Sequence, residues 1–341
     1  MKVVITGGAG FIGSNTAFYY LNRGDDVTIL DNFSRRGTKS NLDWLNSAAK
    51  EKPRVIEADV RTDNTKIEES VMGADAVFHF AGQVAVTTSV ESPREDFETN
   101  ALGTFNVLEA LRKTSSSAVL IYSSTNKVYG GLEDVIVLEE ESKYAFKDYP
   151  FGVPETHTLD FHSPYGCSKG AADQYVRDYH RIYGLNTIVF RQSCIYGPRQ
   201  FGIEDQGWVA WFIIAITLGK KITVYGNGKQ VRDLLYIDDL IQAYDLAIIH
   251  KEKAIGNIYN IGGGPTNTLS IWLEFKPLLE TLFNKKIDSV FSDWRPGDQP
   301  IFVSDIRKAK KDFAWSPKIN VKQGIKKLYE WVSTNRELFH E

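Results

Sequence analysis

The chain has 341 residues, 43% of them apolar, with 40 Lys and Arg against 43 Asp and Glu and a formal net charge of -3. That composition suffices for a full core and more than one lobe, and it lacks the basic patch that nucleic acid or an anionic membrane would need, so neither partner is expected. Two cysteines, Cys167 and Cys194, and six histidines show no metal-ligand spacing and no disulfide framework, so no metal is expected and a reducing cytoplasm is the natural home. Met1 to Ile5 breaks into glycines too early for a signal peptide, and the apolar run Trp208 to Leu218 is too short to span a bilayer.

Lys2 to Thr6 is a short β-branched run, followed by Gly7-Gly8-Ala9-Gly10-Phe11-Ile12-Gly13 and a helical pattern ending near Gly24. Strand, glycine turn and helix bring the backbone of Gly7, Gly10, Phe11, Ile12 and Gly13, and a helix N-terminus, up to a pyrophosphate. A second strand, Asp26 to Leu30, ends in Asp31-Asn32. The Asp31 carboxylate can accept from both hydroxyls of an adenosine ribose and repels a 2'-phosphate, which favours NAD over NADP. Arg35-Arg36 keep NADP open as the lesser reading and are more simply a solvated basic turn.

Three more strands, Arg54 to Ala58, Asp75 to Phe80 and Ala118 to Tyr122, alternate with helical stretches and end in Asp59-Val60, Ala81-Gly82-Gln83 and Ser123-Ser124-Thr125. The alternation predicts an α/β fold: a doubly wound parallel sheet of the Rossmann type, in which ligands lie beyond the carboxyl ends of the strands. Asp59 and Val60 are then expected at the adenine. Ala81, Gly82, Gln83 and Ser123 are expected along the cofactor, and Asn100, inside the helical pattern Glu95 to Leu111, as a hydrogen-bonding link between strand ends. His79, within a buried strand, reads as a satisfied core histidine.

From 131 to 162 the periodicity lapses into a long acidic and aromatic connection, of the kind that can serve as a lid, with His157 or His162 as lesser candidates for a substrate contact. Ser163-Pro164 then start a helix that sets Tyr165 and Lys169 one turn apart on one face. A phenol loses its proton near neutrality only if its pKa drops by roughly 3 units, about 4 kcal/mol, which a nearby ammonium can help supply. Tyr165 is therefore the candidate base. The same spacing at Tyr225 and Lys229 runs through Gly226-Asn227-Gly228, which is turn chemistry. A sixth strand, Asn186 to Phe190, and a seventh, Asn257 to Ile261, complete the sheet. Residues 1–195 with about 230–263 are expected to form the NAD-binding domain, and about 196–229 with 264–341 a smaller mixed α/β lobe, with the site between them.

The glycine run, Asp31-Asn32, Ser123-Ser124-Thr125, Val128-Tyr129-Gly130, Tyr165 with Lys169, Tyr196-Gly197-Pro198-Arg199 and Arg232-Asp233 resemble the extended short-chain dehydrogenase/reductase family of nucleotide-sugar epimerases and dehydratases. The likeness covers nearly the whole chain. Within the family, Ser124 to Gly130, His162 to Tyr175, Asp205-Gln206-Gly207-Trp208 and Tyr225 to Asp233 are similar to the CDP-sugar 2-epimerases. The resemblance implies bound NAD, a CDP-sugar substrate inverted at carbon 2, and a homo-oligomer. It makes Thr125, Tyr165 and Lys169 catalytic: Tyr165 takes the hydroxyl proton, Lys169 holds the nicotinamide ribose and lowers the tyrosine pKa, and Thr125 hydrogen-bonds the reacting hydroxyl. It also places Arg232 and Arg295 at the diphosphate and Cys194, Gln206 and Trp208 among the substrate contacts. The family's dehydratases follow the threonine with Asp-Glu to protonate a leaving hydroxyl. This chain has Asn126-Lys127 there, so loss of water is not expected. Many UDP-sugar 4-epimerases carry asparagine where Cys194 stands, which leaves a 4-epimerase of a UDP- or GDP-sugar as the second reading. A non-catalytic NAD-binding redox sensor would have no need of Thr125, Tyr165 and Lys169 together.

Overall fold

A computed structural model describes residues 1–114, 116–295 and 297–340; Ser115, Pro296 and Glu341 lie outside the described residues. The first half alternates β1 (Lys2–Thr6), α1 (Phe11–Arg23), β2 (Asp26–Asp31), α2 (Thr38–Ala48), β3 (Arg54–Glu57), α3 (Asn64–Val71) and β4 (Ala76–His79). Then come α4 (Val86–Glu91), α5 (Pro93–Phe97), a π-helical turn over Glu98–Leu102, α6 (Gly103–Lys113) and β5 (Val119–Thr125). The helix expected from Glu95 to Leu111 is thus broken, and Asn100 sits in the widened turn, a geometry that often marks a working position.

An arm follows, with the antiparallel hairpin β6 (Val137–Glu139) and β7 (Tyr144–Phe146), before α7 (Ser163–Tyr183) and β8 (Thr187–Gln192). The remainder comprises β9 (Cys194–Tyr196), α8 (Trp208–Thr217), β10 (Ile222–Tyr225), β11 (Val231–Tyr236), α9 (Ile237–Ile249), α10 (Lys251–Ala254) and β12 (Ile258–Ile261). It ends with β13 (Thr268–Ser270), α11 (Phe275–Phe283), β14 (Ser289–Ser292), β15 (Ile301–Phe302), α12 (Arg307–Phe313) and α13 (Val321–Thr334).

Seven strands form one sheet in the order β12-β8-β5-β4-β1-β2-β3, every neighbour parallel. The strands are apolar on both faces because helices cover both: Val3 and Ile5 of β1 enter one core and Val4 the other. The chain order reverses between β1 and β4, so their carboxyl ends open the crevice in which such sheets bind ligands.

Two findings differ from expectation in the second half. Val231–Tyr236, within the stretch assigned to the nucleotide half, pairs with β13, β15 and β9 instead of joining the large sheet. Only after it does α9 return, where Tyr244 stacks on Phe190 of β8 with ring centroids 5.5 Å apart. The 131–162 connection is built into the second lobe: Tyr144 N–H donates to the Lys229 carbonyl at 3.1 Å, and Val137, Tyr144 and Phe146 pack on Val231, Ile301 and Val303. His157, near the Tyr149 hydroxyl at 3.2 Å and Asp134 at 3.5 Å, belongs to this arm. Among the described residues no helix is long and apolar enough to cross a membrane and no cluster of metal-ligating side chains occurs.

Candidate active site

The glycine turn is shaped by close approach. Gly7 has φ of +66°, and a Cβ there would lie 2.7 Å from the Ala81 nitrogen beyond β4; one on Gly13 would lie 2.2 Å from the Gly7 carbonyl oxygen. Any side chain at either position would push α1 off the sheet. The N-terminus of α1 therefore meets the β1/β4 crevice with the amides of Phe11, Ile12 and Gly13 free for an anion. Asp31, buried at the end of β2, accepts from Ala9 N–H and Phe33 N–H, each at 2.9 Å, so one carboxylate ties the glycine turn to the strand end. Burial raises its pKa above the usual carboxylate value, against those two bonds and the Arg35 charge.

A cavity of about 360 Å³ at the ends of β2 and β3 is lined by Asn32, Ala58 and Asp59. Asp59 is held there by Arg61 at 2.8 Å and by Asn32 at 3.0 Å, and Arg61 lowers its pKa to about 2. Val60 is buried beside it. These residues fit an adenosine, and the cradle as a whole fits a dinucleotide. Both arginines of the basic turn are exposed, as expected of a solvated turn, and each makes one bond, Arg35 to Gln206 and Arg36 to the Phe339 carbonyl at 3.4 Å. Neither bond points to a 2'-phosphate pocket.

Toward the middle of the sheet, Asn100 accepts from Gln83 N–H at 2.9 Å and donates to Ser168 of α7 at 3.1 Å, so it joins one strand end to a helix instead of linking two strand ends. A Cβ on Gly82 would lie 2.9 Å from the Asn100 side-chain oxygen, so Ala81-Gly82-Gln83 is a closely approached backbone. His79 is a core histidine, bonded to Thr6 at 2.6 Å and Thr104 at 2.9 Å, and burial pushes its pKa down to about 3.

The α7 helix starts as its sequence suggests. Ser163 Oγ accepts from Gly166 N–H at 3.3 Å, Pro164 occupies the first turn, and Ser163 itself has φ of 66°, a left-handed conformation rare for a residue before proline. Tyr165 and Lys169 are both buried, and Tyr165 N–H is held by Ser89 at 3.1 Å. Burial pushes the phenol up to about 12, and the groups that act on it are Thr125, Asp96 and Arg35; Lys169 is not among them. The Lys169 ammonium donates to the Ser123 carbonyl at 2.6 Å and lies 4.3 Å from the Tyr122 ring centroid. Burial lowers its pKa to about 7, against the attraction of Asp173 and Asp96. Ser123 thus enters the site through its backbone, its hydroxyl being given to Gln192 at 3.1 Å. The second Tyr-Lys pair is no helix face: Lys229 is paired with Glu139 at 2.8 Å.

The other wall comes from the second lobe. Cys194 on β9 and Arg232 on β11 stand on paired parallel strands. Arg232 is buried and bonded to Asp298 at 2.7 Å, and Lys127 and Arg232 both act electrostatically on the Cys194 thiol, which burial pushes up. Arg295 lies 3.8 Å from the Tyr225 ring centroid and pairs with Asp205 at 3.0 Å, in a second cluster. Trp208 begins α8 and packs its edge on Phe275.

A network behind the site was not anticipated. Asp173 accepts from Arg191 through two bonds of 2.9 Å and from Ser124 at 2.7 Å, and Arg191 also donates to Tyr129. The signal was present in the spacing, since Tyr165, Lys169 and Asp173 recur every fourth residue along one face of α7. Asp298 carried no such signal, because only the fold of the second lobe brings it to Arg232.

The parallel sheet, the glycine cradle and the Thr125, Tyr165 and Lys169 cluster define an extended short-chain dehydrogenase/reductase. The chain belongs to the family described as GDP-mannose 4,6 dehydratase, which it matches over residues 4–328. It is 49% identical over 343 residues to the CDP-paratose 2-epimerase of Salmonella typhi, covering 98% of this chain and 100% of that one. Among solved structures it is similar to the dTDP-glucose 4,6-dehydratase DesIV of Streptomyces venezuelae with NAD bound, with a TM-score of 0.85 at 27% identity, covering 100% and 99% of the two chains. It is also similar to the UDP-glucuronic acid 4-epimerase of Bacillus cereus in complex with UDP-glucuronic acid and NAD, with a TM-score of 0.84 at 27% identity, covering 98% and 99%.

Proposed function

We propose that this protein is an NAD-dependent nucleotide-sugar epimerase that inverts carbon 2 of CDP-paratose to give CDP-tyvelose. The reaction class rests on Tyr165 and Thr125 meeting in a cleft where residues 126 and 127 are an amide and an ammonium, so no acid stands ready at that point to expel a hydroxyl. The substrate rests on the full-length likeness to the Salmonella typhi enzyme.

Tyr165 takes the proton of the sugar hydroxyl and returns it to the re-formed alcohol, and Thr125 hydrogen-bonds the same oxygen. With its pKa near 12 in the chain alone, Tyr165 is a phenol at neutral pH, so its ionisation must accompany ligand binding. When bound, NAD would supply a reversible hydride acceptor for the sugar carbon, and its nicotinamide charge would favour the phenolate. The Lys169 ammonium, already fixed on the Ser123 carbonyl, is placed for the ribose. Asp31 holds the adenosine ribose, and Arg232 and Arg295 hold the diphosphate while the sugar turns. The lobe division that best suits this mechanism runs after β11 instead of before it.

Two further inferences complete the reading. Phe105 and Tyr175, Ile182 and Tyr183 leave an exposed apolar strip on α6 and α7, which a second copy would cover in a homo-oligomer. Two free cysteines suit a reducing cytoplasm.

The test incubates purified protein with a panel of nucleotide sugars, without added cofactor, and resolves epimers by NMR in deuterated water. Epimerised CDP-paratose with no deuterium at the inverted carbon is expected. Solvent deuterium there, or a product lighter by one water, overturns the mechanism, and turnover of a UDP- or GDP-sugar at carbon 4 instead overturns the substrate assignment.

A further inference from the structure

Lys127 is a charged side chain of the cleft to which the reaction above gives no task. It follows Thr125 by two residues in the 3-10 turn Asn126–Tyr129, and its N–H donates to Thr125 Oγ1 at 3.2 Å, so its position is set relative to the reacting end. Its ammonium reaches the Gly297 carbonyl at 3.4 Å, a long contact for a charged donor. The charged and titratable groups around it are Arg232 and Cys194 of the paired strands and Asp298. Asp298 is already engaged by Arg232 at 2.7 Å, and among the described residues no carboxylate oxygen lies within 4.0 Å of Lys127.

A half-buried ammonium beside a guanidinium, with one long hydrogen bond, is incompletely satisfied. Burial and the Arg232 charge lower its pKa to about 8, against Asp298 and Cys194. Both cations would gain from an anion placed between them. On the reading above, Arg232 marks the diphosphate and Thr125 the reacting sugar carbon, so the part of the substrate lying between them is the phosphate next to the sugar. We propose that Lys127 is a substrate-binding residue whose ammonium donates to the β-phosphate of the nucleotide sugar, beside the carbon about which the keto ring turns. The inference rests on the nucleotide-sugar reading of the cleft.

The test compares CDP with CMP as ligands of the full-length protein carrying its retained NAD, by calorimetry. Lys127→Met should weaken CDP by roughly 10- to 100-fold, the worth of one charge-assisted hydrogen bond, and leave CMP almost unchanged. Lys127→Arg should keep CDP affinity. In the wild type CDP affinity should fall as pH rises through about 8, where the ammonium loses its proton, and Lys127→Arg should flatten that fall. In turnover, KM should rise while kcat holds. Equal losses for CDP and CMP, an unchanged CDP affinity, or a collapse of kcat with CDP binding intact would each overturn the assignment. Failure of the wild type to bind CDP or UDP at all would instead overturn the nucleotide-sugar reading, and this inference with it.

Discussion

Two arginine–carboxylate pairs lie within reach of the same cleft and differ in what surrounds them. Asp173 and Arg191, behind the sheet, are almost wholly buried, share two parallel bonds and spend their remaining capacity on Ser124, Gln174 and Tyr129, which passes the network on to Asn260. Arg232 and Asp298, in front, share one bond; the Nη1 of Arg232 donates to its own Val231 carbonyl, and Lys127 waits beside them. Arg191 gives donors from all three of its nitrogens to partners inside the fold, whereas Arg232 gives only one to its carboxylate. Unspent hydrogen-bonding capacity, more than charge or burial, separates a structural ion pair from a binding one.

The contrast breaks most visibly at its closed end. Arg191→Met strands a buried carboxylate and should cost about 3–5 kcal/mol in denaturant unfolding. Arg232→Met should leave the unfolding midpoint nearly in place and raise KM instead; similar stability losses in the two variants would erase the distinction. Tyr165→Phe removes the proton acceptor and should lower kcat by roughly 10²- to 10⁴-fold with NAD retained and the melting temperature unchanged. Near-normal turnover in that variant would send the search for the base to Thr125 or a water.

His79 offers a smaller effect on the closed side. Its folded pKa of about 3 lies below the ordinary histidine value of 6.5, so the unfolded chain binds the extra proton between those limits. Stability from this group is complete above pH 6.5 and is lost as pH falls toward 3, by up to about 1.4 kcal/mol per pH unit. His79→Gln should flatten that part of the stability profile, and an unchanged slope would mean that the ring is already protonated in the fold. The smallest effect is expected at Asp31→Ala, which removes the carboxylate facing the ribose and should narrow the preference for NAD over NADP, read by extracting the cofactor from denatured protein.

Much of this site is legible in the chain because local rules dictate it. The glycine run is needed where Gly7 meets Ala81 and Gly13 meets the Gly7 carbonyl, and that need can be read from a strand, a turn and a helix in succession. The Tyr165–Lys169 pairing is likewise a property of one helix face. Asp173 was legible on the same grounds, one turn further along. The broken helix around Asn100 was not, because apolar periodicity alone does not distinguish a continuous helix from one carrying a widened turn.

By itself, then, the sequence determined the alternation of strands and helices that builds the large sheet, and the dinucleotide cradle, since each follows from residues within about one supersecondary unit of one another. Only the tertiary structure decided that β11 pairs with β13, β15 and β9, that the 131–162 arm is packed against it, and that Lys169 turns to Ser123 while burial, with Asp96 adding to it, drives the Tyr165 pKa upward. The same holds for Lys127, Arg232 and Asp298, drawn together from three distant stretches. Strand partnership and desolvation depend on what the remote parts of the chain bring alongside, and no local spacing encodes that.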